Sequence, residues 1–287
     1  MMRLALLALF AAQGDAVRLK YATDRTDKDK VFYELKLALK IEGSEKLVSM
    51  IRSMHPFLSM ETLQVRAEGT RQVLGGKKQK IDSEEARVEM RYDDENHEYD
   101  YTKGQPPEGD KDKLRQLMWV LAAGGRNFTL SAEGDYRSDD ANQDHNGEAM
   151  DLIALGIVRM PDRAVQEGDT YEAKWKGQRT EKGKKGLYAF LQKVKVEKIE
   201  EKDGKRFARL SAELTGKVEG GDKDPQAEES SAKCEGKQKA LIEIPAGRVV
   251  SSEGSGTVTI YHRGTSEQGQ KQELTMTFTV AGKVTPR

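Results

Sequence analysis

Between Val31 and Ile41 the chain reads VFYELKLALKI, with Val31, Tyr33, Leu35, Leu37, Leu39 and Ile41 on every second position and Glu34, Lys36 and Lys40 between them. Successive side chains of a strand point to opposite faces, so this period of two predicts a long, half-buried strand. Near the other end Leu274, Met276, Phe278 and Val280 alternate with Glu273, Thr275, Thr277 and Thr279, again one dry face and one wet. The segments TLQVRAEGTRQVL, EARVEMRYD and HEYDYTK read as a β meander punctuated by LGGKKQ and DDEN. From Thr170 onward TYEAKWKGQ, LYAFLQKVKVEKIEE, RFARLSAELTGKV, KALIEIP, RVVSSEGSGTVTIYHR and KQELTMTFTVAGKV predict further strands, divided by KDGK, PAG and SEQGQ. The frequent glycines are assigned to the turns of this meander.

Three stretches break the period. Leu47, Met50, Ile51, Met54, Phe57 and Leu58 fall at helical spacing with Pro56 as a break, a short helix lying on the sheet. Leu114, Leu117, Met118 and Leu121 recur at i, i+3, i+4 and i+7, and Gly124-Gly125 stop that helix. A further helix over about Glu148 to Ile157 presents Met150, Ile153, Ala154 and Ile157 and ends before Pro161. The apolar sides of the strands need a cover, and the two helices before residue 161 supply it. The expected fold is mainly β (α+β): a long antiparallel meander in one or two lobes, with two short helices covering one face. The expected divisions are residues 1–16, a polar and loose leader at 17–30, an N-terminal β lobe at 31–160 and a C-terminal antiparallel β lobe, or second half of one sheet, at 161–287. The stretch PDRAVQEGDTYEAKW at 161 marks that restart.

The first residues add an address. Arg3 precedes the apolar run Leu4 to Ala12, and Gly14 and Ala16 follow as small residues, the layout of a secretory signal peptide whose apolar run is too short to span a bilayer. Cleavage is expected after Ala16, with Gly14 as the alternative. No later apolar run approaches a membrane span. Lys plus Arg and Asp plus Glu balance at 48 each, and removing residues 1–16 takes away only Arg3 and Asp15. A neutral chain gains nothing from a strong basic field, which argues against nucleic acid or an anionic membrane as the main partner. Cys234 is the only cysteine, so the fold stands without an internal disulfide. It lies between polar residues and a strand, and His262 is the only histidine in that half, so no nucleophilic role is assigned.

Candidate chemistry is thin. In DDANQDHNGEAMD, Asp140, Asn142, Asp144 and Asp151 match positions 1, 3, 5 and 12 of an EF-hand calcium loop. His145 stands where the loop needs glycine for its sharp turn, and Asp151 is a methylene shorter than the bidentate glutamate, so a solvated acidic loop capping the helix is the better reading. In DDENHEYDY, Asp93, Glu95 and His97 would share one face of a strand, yet a metal site normally gathers two or three nitrogen or sulfur ligands. There is no G-x-S-x-G elbow, H-E-x-x-H pair or phosphate loop, and no cofactor is implied. Glycosidase carboxylates leave little local signature, so a carboxylate-dependent hydrolase stays as an alternative. Trp119 and Trp175 are read as core or cover residues, and the lysine- and glutamate-rich runs as the wet faces of strands.

Gly125, Phe128, Leu130 and Gly134, followed by Pro161, Val165, Gly168, Asp169 and Tyr171 in a P-x-x-x-V-x-x-G-D-x-[WY] pattern, resemble a family of exported bacterial β-rich proteins of unknown function. PAGRVVSSEG at 245–254 is similar to a strand–turn–strand of that family. The resemblance implies export and a structural role for these residues, and brings no catalytic or ligand set. A long curved sheet with helices over one face also looks, in architecture alone, like the periplasmic lipoprotein-carrier half-barrel. The function expected is an exported, non-enzymatic envelope protein binding a partner or an apolar ligand, with a lipid or lipoprotein carrier as one alternative. Asp169 is expected to order the turn into the strand at Thr170.

Overall fold

The computed structural model describes residues 16–23, 28–54, 56–75, 77–105, 113–123, 126–138, 145–181, 184–220, 229–265 and 271–287. Residues 1–15, which carry most of the expected signal peptide, lie outside this set.

Strands β1 (Lys28–Gly43), β2 (Met60–Gly75), β3 (Lys78–Tyr92), β4 (Glu95–Thr102), β5 (Arg126–Leu130) and β6 (Tyr136–Ser138) precede Pro161. Strands β7 (Thr170–Glu181), β8 (Lys184–Lys202), β9 (Lys205–Gly220), β10 (Glu229–Ile244), β11 (Arg248–Thr265) and β12 (Lys271–Pro286) follow it. All belong to one antiparallel sheet in the order β6-β5-β3-β2-β1-β12-β11-β10-β9-β8-β7, with β4 also paired to β3. The first and last strands lie side by side, Val31 opposite Pro286 through Gly43 opposite Leu274, which joins the two halves. The sheet is open, with β6 and β7 at its two ends.

Local chemistry explains the hairpins. Asp93 and Asp94 both take positive φ between β3 and β4, as do Asp203 and Gly204 between β8 and β9, the backbone of two-residue turns whose twist matches the flanking strands. The alternation read in the sequence is the alternation of burial. Leu274, Phe278, Val280 and Val284 are buried along β12 while Thr279 and Lys283 are exposed.

Among the described residues three α-helices lie on the apolar side, the two expected to cover the sheet and the short one expected over residues 47–58: α1 (Glu45–Met54), α2 (Lys113–Ala123) and α3 (His145–Ala154). α1 lies against β1 and β12, and α2 packs on β2, β3 and β4. Met118 and Ala122 of α2 are buried and Leu114 is half-buried, whereas the side chains of Leu117 and Leu121 lie outside the described set. α3 packs over the centre, against β9 to β12. The leader expected to be loose instead buries Val17, Leu19 and Tyr21 in the core, and Val17 exchanges backbone hydrogen bonds with Val165. Its alternate apolar residues give it a dry side that the charged residues between them conceal in a composition reading. No helix among the described residues is long and apolar enough to cross a membrane.

Candidate functional site

The covered face is built around the end of α3. Gly156 takes φ +59°, the Gly156 N–H bonds the Ile153 carbonyl at 3.0 Å, and the Ile157 N–H bonds the Leu152 carbonyl at 3.2 Å. These are the two hydrogen bonds of a Schellman C-cap, with glycine at the left-handed position. Two glutamines projecting from the sheet complete the cap. Gln238 on β10 donates to the Leu152 and Ile157 carbonyls at 2.7 and 3.0 Å, and Gln192 on β8 donates to the Ile157 carbonyl at 2.8 Å and to Gln238 Oε1 at 2.6 Å. Gln192 Oε1 accepts from the Arg159 N–H at 2.8 Å, and Ser252 Oγ donates to the Leu155 carbonyl at 2.7 Å. Both amides use both donors and their oxygen, which is what permits side chains 0 % and 1 % exposed.

Two glycines of the sheet beneath α3 do not lie in turns, contrary to the sequence assignment. Gly254 on β11 and Gly282 on β12 sit mid-strand directly beneath the helix. A Cβ at Gly254 would overlap the Ile153 carbonyl oxygen, and one at Gly282 the Ala154 carbonyl oxygen. They are the close-approach glycines that let helix backbone rest on sheet backbone.

Beside the helix end, Tyr21 OH donates to the Val158 carbonyl at 2.8 Å and accepts from the Val158 N–H at 3.1 Å. Burial pushes its hydroxyl up to about 12. Arg71 donates to Gln79 at 2.7 Å, and Arg248 bridges Asp29 at 3.3 Å and Glu243 at 3.0 Å. Burial lowers the Arg71 pKa, with Tyr21 and Asp29 opposing the shift. Two cavities meet at Tyr21, Arg71 and Val249, each of about 20 Å³. That is room for a water molecule and far below the volume of an acyl chain.

No helix among the described residues covers the opposite face of the sheet. Lys239, Glu253, Lys283, Glu34 and Arg66 stand in one cross-strand row on β10, β11, β12, β1 and β2, alternating in sign. Lys239 pairs with Glu253 at 3.0 Å, and Glu34 lies 3.4 Å from Lys36 and 3.6 Å from Arg66. Burial alone would raise the Glu34 pKa, but hydrogen bonds from Gln64 and Lys36 and the charges of Lys36 and Arg66 outweigh it, so the net shift is downward. Hydrogen bonds from neighbouring side chains, Ser131, Lys174, Lys195 and Lys198 first among them, likewise lower the pKa values of Glu133, Glu172, Glu197 and Glu200. A general acid must hold its proton near neutral pH, and none of these five carboxyls is tuned to do so. Lys237 and Lys283 have no ion-pair partner among the described residues.

Small residues make the floor of this face. Thr62, Ala38, Thr279 and Thr257 lie in one cross-strand row, with Ala281 and Ser255 in the next. Long side chains around them rim two adjoining open depressions of about 610 Å³ and 390 Å³, which share Lys36 and Ala281. The first is bordered by Gln64, Glu89 and Arg91, the second by Lys237, Lys239, Glu253 and Lys283. Sequence periodicity marks these residues only as wet. Their arrangement as a walled depression depends on the strand order, which brings β1 beside β12.

The singled-out residues scatter. Asp140, Asn142 and Asp144 lie outside the described set, and Asp151 is buried in α3 where it accepts a 2.7 Å hydrogen bond from Tyr136 OH. Asp93 is in a turn rather than on a strand, leaving Glu95 and His97, 3.9 Å apart, on one face. No three His, Cys, Asp or Glu side chains among the described residues are grouped to hold a metal. Trp119 sits 6.5 Å from the Tyr101 ring, and Trp175 stacks on Phe190 at 5.2 Å with the Arg159 guanidinium 5.1 Å from its ring. In the 161–171 motif Val165 is buried against Val17, Gly168 takes φ +87°, and Tyr171 OH donates to the Arg159 carbonyl at 2.7 Å. Pro161 is half-buried.

Asp169 Oδ2 accepts from the Gln166 N–H at 3.1 Å and lies 3.2 Å from Arg163 Nη1. Asp169→Ala is expected to cost about 0.5–2 kcal/mol in denaturant unfolding, the range for a lost side-chain-to-backbone cap.

Cys234 is within β10, not between loop and strand, and faces the core opposite Gly216. The absent Gly216 side chain leaves space that the Cys234 sulfur and the Phe190 ring take up. Burial, then the Glu235 charge, push the thiol up to about 12. Because the folded pKa exceeds the unfolded one, its contribution to stability is full below about pH 8.5 and is lost as pH rises from there toward the folded value, by at most about 1.4 kcal/mol per pH unit. Unfolding free energies measured across that window should fall for the wild type and fall less steeply for Cys234→Ala.

No family model and no curated protein matches this chain. Among solved structures it is similar to a double mutant of the vaccine antigen transferrin binding protein B from Haemophilus parasuis Hp5, at 9% identity over 93% of this chain and 78% of that one, with a TM-score of 0.11. A likeness at that score carries no statement about this chain, whose reading rests on its own geometry.

Proposed function

We propose that this is an exported, non-enzymatic binding protein that engages a hydrophilic partner through the uncovered face of its sheet. The observation that carries the reading is the contrast between the two faces. The apolar side is occupied by α3 and the Val17–Tyr21 segment, with cavities of about 20 Å³ beside them, whereas the polar side holds adjoining depressions of about 610 and 390 Å³. A carrier of acyl chains needs the reverse. A hydrolase needs a proton-holding acid, and the shifted carboxyls run the other way. Export rests on the Arg3 and Leu4–Ala12 pattern, and terminal sequencing of the envelope form should read from Val17 or Asp15.

The test is site-specific photo-crosslinking in the native host. A photoreactive residue at Ser255 or Thr279, on the floor of the depressions, should give a discrete adduct. The same residue at Lys202, at the β8–β9 turn, should not. Absence of adducts from both floor positions, or a lipid co-purifying in native mass spectrometry, would overturn the reading.

A further inference from the structure

β7 is the terminal strand of the sheet, and among the described strands only β8 pairs with it. Its pairing runs without a register shift from Thr170 opposite Lys195 to Glu181 opposite Lys184, and it contains no proline. Half of its backbone N–H and C=O groups therefore point outward along a regular 12-residue edge, a template for another strand. The strands at the other end, β6 and β4, have 3 and 8 residues and offer much less.

The sequence of that edge is self-complementary. We propose that β7 pairs antiparallel with β7 of a second copy of this chain, about a two-fold axis at Ala173. In this register Glu172 stands opposite the partner's Lys174 and Lys174 opposite the partner's Glu172. Tyr171 stands opposite the partner's Trp175 on the other face, where both rings are half-buried and leave an edge to cover. A two-fold axis on a residue keeps the dry face of one sheet continuous with the dry face of the next, whereas an axis between residues would join dry to wet. Of the axes on residues, one at Glu172 opposes two glutamates, one at Lys174 opposes two lysines, and one at Trp175 sets Lys174 against the partner's Lys176. Like charges directly opposite are unfavourable and unlike charges favourable, so among these four axes the one at Ala173 is selected. Within one chain Lys174 Nζ already lies 2.8 Å from Glu172, so pairing builds a square of four alternating charges. Such an isologous contact closes on itself and stops at a dimer.

Light scattering coupled to size exclusion, run over a dilution series, tests this. The wild type should be a dimer that dissociates on dilution. E172K and K174E should each raise the dissociation constant at least about tenfold, because each sets four like charges together. The reciprocal variant E172K/K174E restores every opposite pair and should return to within about threefold of wild type. A misfolded single variant would not be rescued by the second change, so rescue separates pairing from folding. A wild type monomeric at every concentration, single variants that dimerise unchanged, or a double variant without rescue would each overturn the proposal. A wild type that stays monomeric yet binds an added strand peptide along this edge would assign the edge to another partner instead.

Discussion

Gly254→Val is expected to destabilise the protein by at least about 3 kcal/mol, or to prevent folding, at the severe end of overpacking. The reason is that the atom in the way is backbone. A side chain at Gly254 would strike the Ile153 carbonyl oxygen, and no rotamer change can move it aside. The helix must lift, and lifting it breaks the Ser252 and Gln238 hydrogen bonds to Leu155 and Leu152 as well. Ser255→Val, one residue on and pointing to the uncovered face, is the matched control and should stay within about 0.5 kcal/mol of wild type. Equilibrium unfolding in urea reads both. A Gly254→Val protein within about 1 kcal/mol of wild type would mean that α3 is not seated on the strand backbone.

Gln238→Leu should cost about 2–4 kcal/mol. The change keeps the bulk but removes hydrogen bonds to the Leu152 and Ile157 carbonyls, and it orphans one N–H of Gln192 in a site closed to water. Gln192→Leu should behave similarly, since it orphans the Arg159 N–H and the Gln238 oxygen. The double variant should cost less than the two singles summed, by more than about 0.5 kcal/mol, because it removes the orphaned groups that each single change leaves to the other glutamine. Strict additivity in the double-mutant cycle would show that the two amides act independently, against the geometry.

Much of the sheet is legible in the sequence because one face touches water. Leu274, Phe278 and Val280 need burial and Thr279 does not, so each strand prints its own alternation. The turn at Asp203-Gly204 is equally local. What the sequence conceals are features whose cause lies far along the chain. Alternation sets Gln192 in line with Val194 and Val196 and Gln238 in line with Ala240 and Ile242, but only their meeting over 46 positions supplies the partners that a buried amide needs. Gly254 and Gly282 resemble turn glycines until a helix from residue 154 lies on them.

The end of α3 carries a local signal beside its periodicity. Periodicity places the helix at 148–157, whereas it spans His145–Ala154. Gly156 before Ile157 is the Schellman signature, and it sets the true end. The depressions on the uncovered face had no local signal. They follow from β1 lying against β12, which places Lys36 and Ala38 beside Ala281 and Thr279.

The central claim is that α3 is a permanent plug, so that recognition falls to the opposite face. Native-state hydrogen exchange tests it most directly. The amides of Leu155, Gly156 and Ile157, bonded to Asp151, Ile153 and Leu152, report the seat of the helix. A plug predicts that they exchange only with global unfolding, at the free energy of the most protected β9 and β10 amides. Exchange through a local opening several kcal/mol below that limit, together with apolar dye binding under native conditions, would show a lid over a usable apolar face and contradict the account.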